Sequence, residues 1–329
     1  MPLAHGGDLG AARALFPGAP EPFLDLSTAI SPHPYPIFEH RAEDFSRLPE
    51  PSSLDRLRRE AAKFYGAPSE ENIVAGPGGQ ILMTLIADLM PNGRAAILGP
   101  TYAEHARVAA LAGHEVETIS SLKRLGDADL AIAVNPNNPD GRILSKEELL
   151  TIADRQSAHG GLLVVDEAFM DAGPRGESLS ANVEQANIVV LRSFGKFFGL
   201  AGVRLSFAIA RKDLASRLRA RLGPWPVSGP ALAAGLSGLS DEAWITKMRQ
   251  TLKGAALRLD TLLRDAGLES VGRTDLFNLV RSEDASEVFA RLGRAGIFVR
   301  RFDENASWLR FGLPGADEDW VRLENALRV

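Results

Sequence analysis

Three side chains of different chemistry follow one another about thirty residues apart: Asn138, Asp166 and Lys196. Each comes shortly after a short apolar run, at 130–134, 162–165 and 188–191. Lys196 lies in Ser193-Phe-Gly-Lys196-Phe-Phe-Gly-Leu-Ala-Gly-Val-Arg204, in a chain with only seven lysines against thirty arginines. Removing a lysine amine from water lowers its pKa from about 10.4 and exposes a nucleophile that can condense with an aldehyde. Taken alone, the segment equally fits a lysine that covers the end of a sheet. Asp166, in Val164-Val-Asp166-Glu-Ala-Phe169, suits a cationic ring nitrogen, and equally a helix cap or loop hydrogen bond. Asn138, in Asn135-Pro-Asn-Asn138-Pro-Asp-Gly141, can donate to an anionic oxygen, although Asn-Pro and Asp-Gly are also turn signals.

These residues need a frame. From Pro51 onward, short apolar strands at 73–75, 95–98, 130–134, 162–165, 188–191 and 207–210 alternate with helical stretches. That alternation predicts a mainly parallel sheet in a three-layer α/β domain. Ligands of open α/β sheets bind at the carboxyl ends of the strands, so a parallel sheet would bring Asn138, Asp166 and Lys196 to one edge. Gly76-Pro-Gly78-Gly79-Gln80 opens an apolar helical run at 81–90. Backbone N–H groups at such a start bind phosphate, and a plain turn before a core helix is the alternative. Ser145-Lys-Glu-Glu148 has the form of a capping box, and Ser52-Ser-Leu-Asp55 reads as another helix start. Gly223-Pro-Trp-Pro226 interrupts the pattern. A long helical run at 241–266 and strands near 276–280 and 297–300 follow, which predicts a smaller α+β domain. The expected organisation is an N-terminal arm, 1–47, contributing to the small domain and the active site; a large domain, 48–220; and a small C-terminal domain, 221–329.

The ordered set resembles the fold-type I pyridoxal 5'-phosphate (PLP) enzymes of the aminotransferase class I/II superfamily, over nearly the whole chain. The resemblance implies PLP as cofactor, with Lys196 bound to its aldehyde and Asp166 paired with its pyridinium nitrogen. Asn138 would bond its phenolic oxygen and Tyr102, in Pro100-Thr-Tyr102, would stack on its ring. Ser193, Arg204 and the backbone at Gly78, Gly79 and Gln80 would hold its phosphate. Phe169 departs from the pattern, standing where many relatives have a tyrosine. Gly296-Ile-Phe-Val-Arg300 and Trp308-Leu-Arg310-Phe-Gly312 resemble the arginine-bearing strands of histidinol-phosphate aminotransferases and their near relatives. Arg310 would grip a substrate carboxylate and Arg300 a second anion, often phosphate; solvated arginines are the alternative.

The arm discriminates between reactions. His5-Gly6-Gly7-Asp8 and Leu24-Asp25-Leu-Ser27-Thr-Ala-Ile-Ser-Pro32 resemble the threonine-phosphate decarboxylases of cobalamin biosynthesis. This implies conversion of L-threonine O-3-phosphate to (R)-1-amino-2-propanol O-phosphate, with His5 and Gly6 near the substrate phosphate. A histidinol-phosphate or related amino-acid aminotransferase is the alternative. Ala29 and Ser31 depart from the decarboxylase pattern. Leu48-Pro49-Glu50 replaces a tyrosine that reaches the partner's cofactor in many members. The resemblance also implies a homodimer with sites at its interface.

Composition is consistent with this class and excludes others. The net charge is −5, with 37 basic and 42 acidic residues and no long basic run, which argues against nucleic acid. There are no cysteines, which excludes disulfides and thiolate metal sites, and the six histidines show no metal-ligand spacing. No apolar signal core or membrane-spanning stretch is seen, and a cytoplasmic enzyme is expected. Ser193-Phe-Gly-Lys196 formally matches the Ser-x-x-Lys of penicillin-recognising hydrolases, but their Ser-Asp-Asn and Lys-Thr-Gly partners are missing.

Overall fold

In the computed structural model, which describes residues 6–36 and 41–328, the chain forms two compact units. The first comprises Tyr35–Asn138 and Ile143–Thr246; the second comprises Met1–Pro34, Pro139–Arg142 and Lys247–Val329. These bounds differ from the expected division at residues 47 and 220. The first unit runs on through 246 because the helix Gly229–Ser240 packs against the helix Pro51–Tyr65. A Cβ on Gly235 would lie 2.7 Å from both Leu57 Cδ1 and Leu205 Cδ2, so glycine permits that close approach.

A seven-stranded sheet forms the centre of the first unit. Its strands are β1 (Ile73–Gly76), β2 (Arg94–Leu98), β3 (Glu115–Ile119), β4 (Leu130–Val134), β5 (Leu162–Asp166), β6 (Ile188–Ser193) and β7 (Ser206–Ala210). They lie in the order β3-β2-β4-β5-β6-β7-β1. Only β7 runs against its neighbours; the other pairs are parallel. Every residue of β1, β4, β5 and β7 is buried, as expected where helices cover both faces. On one face, Leu82, Met83 and Ile86 of the helix Gly79–Leu89 join Leu214 and Leu218 of Lys212–Leu222. They pack on Val74, Ile97, Ile132, Val164 and Val189 of the strands. The sequence pattern does not reveal β3, because this edge strand carries two glutamates and buries only Ile119.

Helix starts follow local chemistry. The Ser145 hydroxyl accepts from the Glu148 N–H at 3.2 Å, and the Glu148 carboxylate accepts from the Ser145 N–H at 3.0 Å. This is the expected reciprocal cap. The helix near Ser52 instead begins at Pro51, which supplies a preset φ at the first helical position and lacks the N–H that would go unused there.

Strand alternation sends Glu167 and Arg192 to the side opposite their neighbours Asp166 and Ser193. There Arg192, 2% exposed, donates to Glu167 Oε2 at 2.5 Å and Asp171 Oδ1 at 2.8 Å. Its guanidinium also lies 4.6 Å from the centre of the Tyr65 ring. Burial opposes the charge on Arg192, but Asp171 and Glu167 outweigh it and hold its pKa above the ordinary value. Burial pushes the Glu167 carboxyl up, against Arg192 and the hydrogen bond from Ser178. Breaking such a pair strands the remaining charge. Arg192→Met should therefore lower unfolding stability by about 3–5 kcal/mol, measured by urea denaturation.

The second unit contains a four-stranded antiparallel sheet in the order Arg300–Phe302, Asn305–Gly312, Phe277–Arg281, Glu269–Thr274. The helices Ala285–Arg294 and Asp317–Leu327 belong to it, as do residues 247–265 of Glu242–Asp265. Within this unit, arm residues Leu24 and Asp25 pair in parallel with Ile297 and Phe298. Among the described residues, no helix is long and apolar enough to cross a membrane, and no group of three or more candidate ligands is placed to hold a metal.

Candidate active site

The carboxyl edge of the sheet in the first unit gathers the polar residues. Val134 stands opposite Asp166, and the Asn135 N–H donates to the Asp166 carbonyl at 2.8 Å. Ser193 stands opposite Ser206, which also stands opposite Gly76. Chain order reverses between β2 and β4, the kind of switch point at which α/β proteins open a crevice. The loops at that point are cross-tied. Thr101 Oγ1 donates to Asn137 Oδ1 at 2.6 Å, and Asn137 Nδ2 donates to the Pro100 carbonyl at 2.9 Å. Half-buried Asn138 follows directly.

Asp166 is 9% exposed, and its Oδ2 lies 2.9 Å from His105 Nε2. The Ala168 N–H donates to Asp166 Oδ1 at 3.0 Å. His105 is 1% exposed and packs edge-on against Tyr102, with ring centres 6.0 Å apart. An oriented carboxylate next to an imidazole is suited to hold a proton on a cationic ring nitrogen. Sequence reasoning gave His105 no role. The signal was a histidine three residues after Tyr102, and only the fold links it to Asp166.

Lys196 is half-buried on the four-residue helix Phe194–Phe197. Its aromatic neighbours fix it from behind. Phe194 and Phe198 stack with centres 4.2 Å apart, Phe198 stacks on Trp244 at 5.5 Å, and Phe194, Phe197 and Phe198 are fully buried. Lys196 Nζ is 5.7 Å from the centre of the buried Phe169 ring. The Phe169 ring face and the buried phenylalanines beside it confine the amine at the end of the sheet.

A third cluster fits an anionic group. Gly78, with φ +99°, precedes the helix Gly79–Leu89, whose first turn has no side-chain cap. A Cβ at Gly78 would lie 2.3 Å from Arg204 Nη2, so only glycine lets the guanidinium approach this helix start. Arg204 itself adopts φ +58°, a left-handed conformation that non-glycine residues hold at a cost of about 1–3 kcal/mol and that clusters at functional sites. Ser193 and Ser206 add hydroxyls at the same edge; Ser206, 3.8 Å from where a Gly79 Cβ would stand, was not foreseen. The Gln80 side chain donates to Glu104 Oε2 at 2.7 Å, so at this helix start Gln80 can offer an anion only its backbone N–H. Guanidinium, hydroxyls and helix-start N–H groups together form a donor set that fits a phosphate. With the Asp166 carboxylate and the Lys196 amine, these residues fit PLP.

In the second unit, Arg300 and Arg310 are direct partners across an antiparallel pair. Like charges so placed repel, and an anion that both can meet would relieve the repulsion. Arg310 is 6% exposed, donates from Nη2 to the Ser27 carbonyl at 2.7 Å, and stands 5.2 Å from the Phe277 ring centre. Arg300 is half-buried, 5.4 Å from the Phe302 ring centre. Gly6 lies against Ser27 in the same unit, whereas His5 falls outside the described residues.

The chain is similar to known proteins over nearly its whole length. A threonine-phosphate decarboxylase of Sinorhizobium sp is 42% identical over 329 residues, covering 99% of this chain and 98% of the relative. One of Pseudomonas aeruginosa is 39% identical over 99% of this chain and 97% of the relative. The solved structure of a histidinol-phosphate aminotransferase from Sinorhizobium meliloti, in complex with pyridoxal-5'-phosphate, matches with a TM-score of 0.74 at 24% identity. It covers 87% of this chain and 83% of that one. The sequence profile of the family described as aminotransferase class I and II matches residues 29–327. By that match and by its two full-length relatives, this chain belongs to the aminotransferase class I and II family.

Proposed function

We propose that this chain is a PLP-dependent threonine-phosphate decarboxylase, a carbon–carbon lyase of cobalamin biosynthesis. It converts L-threonine O-3-phosphate to (R)-1-amino-2-propanol O-phosphate and carbon dioxide. The observation that carries this reading is full-length similarity, at 42% identity, to a protein of that name. Histidinol-phosphate aminotransferases share the fold, so they remain the competing activity to be tested.

When bound, PLP supplies an electron sink for the pair released as a bond at the substrate Cα breaks. The protein's task is to choose that bond. Arg310 holds the substrate carboxylate and Arg300 the phosphate, so that the carboxylate, rather than the Cα hydrogen, stands where its bond can break. Planar guanidinium groups suit both anions by paired hydrogen bonds. Lys196 anchors the cofactor and then returns a proton to the substrate Cα, which replaces the lost carboxylate. Asp166, oriented by His105, holds a proton on the ring nitrogen. Asn138 donates to the ring's phenolic oxygen, and Tyr102 stacks on the ring. Gly78, Gly79 and Gln80 through their backbone, with Ser193 and Arg204, hold the cofactor phosphate. His5 and Gly6 of the arm approach the substrate phosphate.

The working enzyme is a cytoplasmic homodimer. Exposed Phe45, Leu48 and Trp225 support the dimer, since they leave large apolar side chains in water on the isolated chain.

One incubation tests the activity. Protein loaded with PLP should release carbon dioxide and aminopropanol phosphate from L-threonine O-3-phosphate without any keto acid. Turnover that requires 2-oxoglutarate and yields glutamate would assign an aminotransferase instead.

A further inference from the structure

We propose that Ser27 is a positioning residue that sets the direction of Arg310, and that Gly6 is glycine because its backbone must pass against the Ser27 carbonyl. The inference rests on the reading that Arg310 grips the substrate carboxylate. Ser27 is fully buried. Its carbonyl accepts from Arg310 Nη2 at 2.7 Å. An arginine with one edge tied to a backbone carbonyl has lost the freedom to swing, and its remaining N–H groups point in a fixed direction. The carbonyl is itself fixed from three sides. The Ser27 N–H and Oγ both donate to Asp25 Oδ1, at 2.8 and 2.6 Å, which closes a local turn at the end of the Leu24–Asp25 strand. The Gly7 N–H donates to Ser27 Oγ at 2.8 Å. The neighbouring Leu26 carbonyl accepts from the Gly312 N–H at 2.6 Å, two residues beyond Arg310.

Gly6 completes the device. A Cβ there would stand 2.4 Å from the Ser27 carbonyl oxygen and 2.9 Å from its carbon. Backbone atoms cannot yield as a flexible side chain would, so a methyl group at residue 6 would turn the carbonyl away from Arg310. The arm thus acts on the substrate carboxylate indirectly, through a carbonyl twenty-one residues away in sequence.

The test uses the PLP-loaded enzyme and two ligands that differ by one carboxylate: L-threonine O-3-phosphate and its decarboxylated product. Ser27→Ala should raise KM for the substrate about three- to tenfold, the size of one oriented hydrogen bond, with kcat within about twofold. Gly6→Ala should raise KM at least as much, and the double variant should be no worse than the more damaging single one, because both act on one carbonyl. The product, which lacks the carboxylate but keeps the phosphate, should inhibit the Ser27→Ala variant with the same constant as the parent. An unchanged KM in Ser27→Ala, or an equal rise in the product's inhibition constant, would overturn the proposal. Arg310→Ala separates the two levels. It should raise KM at least about thirtyfold, as truncating one partner of a buried charge pair does. If it does so while Ser27→Ala has no effect, only the positioning role fails. If Arg310→Ala itself leaves KM unchanged, the carboxylate reading fails and the proposal falls with it.

Discussion

Lys196→Ala should lower turnover of L-threonine O-3-phosphate by at least about 10²–10⁴-fold, the range lost with a positioned proton-transfer group. The loss should exceed that range if, as proposed, the same amine also anchors the cofactor, since no other lysine occupies this short helix. The fold should survive. Phe194, Phe197 and Phe198 supply the packing of this segment, and Lys196 itself is only half-buried. The variant should therefore melt near the parent's temperature and bind PLP reversibly. Borohydride reduction of the parent should discharge its yellow colour and leave the label on Lys196 in a peptide map. Label on another residue, or normal turnover by the alanine variant, would refute the assignment.

Asp166→Asn should keep PLP bound and lower turnover by about 10²–10³-fold, the cost of losing one preorganised electrostatic partner. The substitution is nearly isosteric. An amide oxygen can still accept from the Ala168 N–H, now at 3.0 Å from Asp166 Oδ1. What disappears is the negative charge, and with it the proposed preference for a protonated ring nitrogen. His105 Nε2, 2.9 Å from Oδ2, would face an amide in place of a carboxylate. Carbon dioxide release and cofactor retention, measured on the same preparation, distinguish loss of chemistry from loss of PLP. A fully active Asp166→Asn enzyme would remove the carboxylate from the mechanism.

Much of this site is legible along the chain because buried parallel strands write themselves as apolar runs. The runs ending near Asn138, Asp166 and before Lys196 are β4, β5 and β6, and their shared edge follows from parallel pairing. The Ser145–Glu148 cap and the long helix Glu242–Asp265 are equally local matters of spacing. Other features exist only in three dimensions. β3 escapes notice because an edge strand need not be apolar. The reversed direction of β7 escapes because an apolar run carries no arrow. His105 meets Asp166 across 61 residues, and Gln80 is drawn to Glu104 across 24, so neither contact has a local signature. The close packing at Gly235 has no local signature either: the absence of a side chain there lets the helix Gly229–Ser240 stay with the first unit.

The residues proposed to seat the cofactor all belong to the first unit, while Arg300, Arg310 and the described arm through Pro34 belong to the second. On this proposal, substitutions in the second set leave the residues proposed for the cofactor unchanged. A change of substrate would then fall on two strands and the arm of one unit, leaving the other unit's residues as they are.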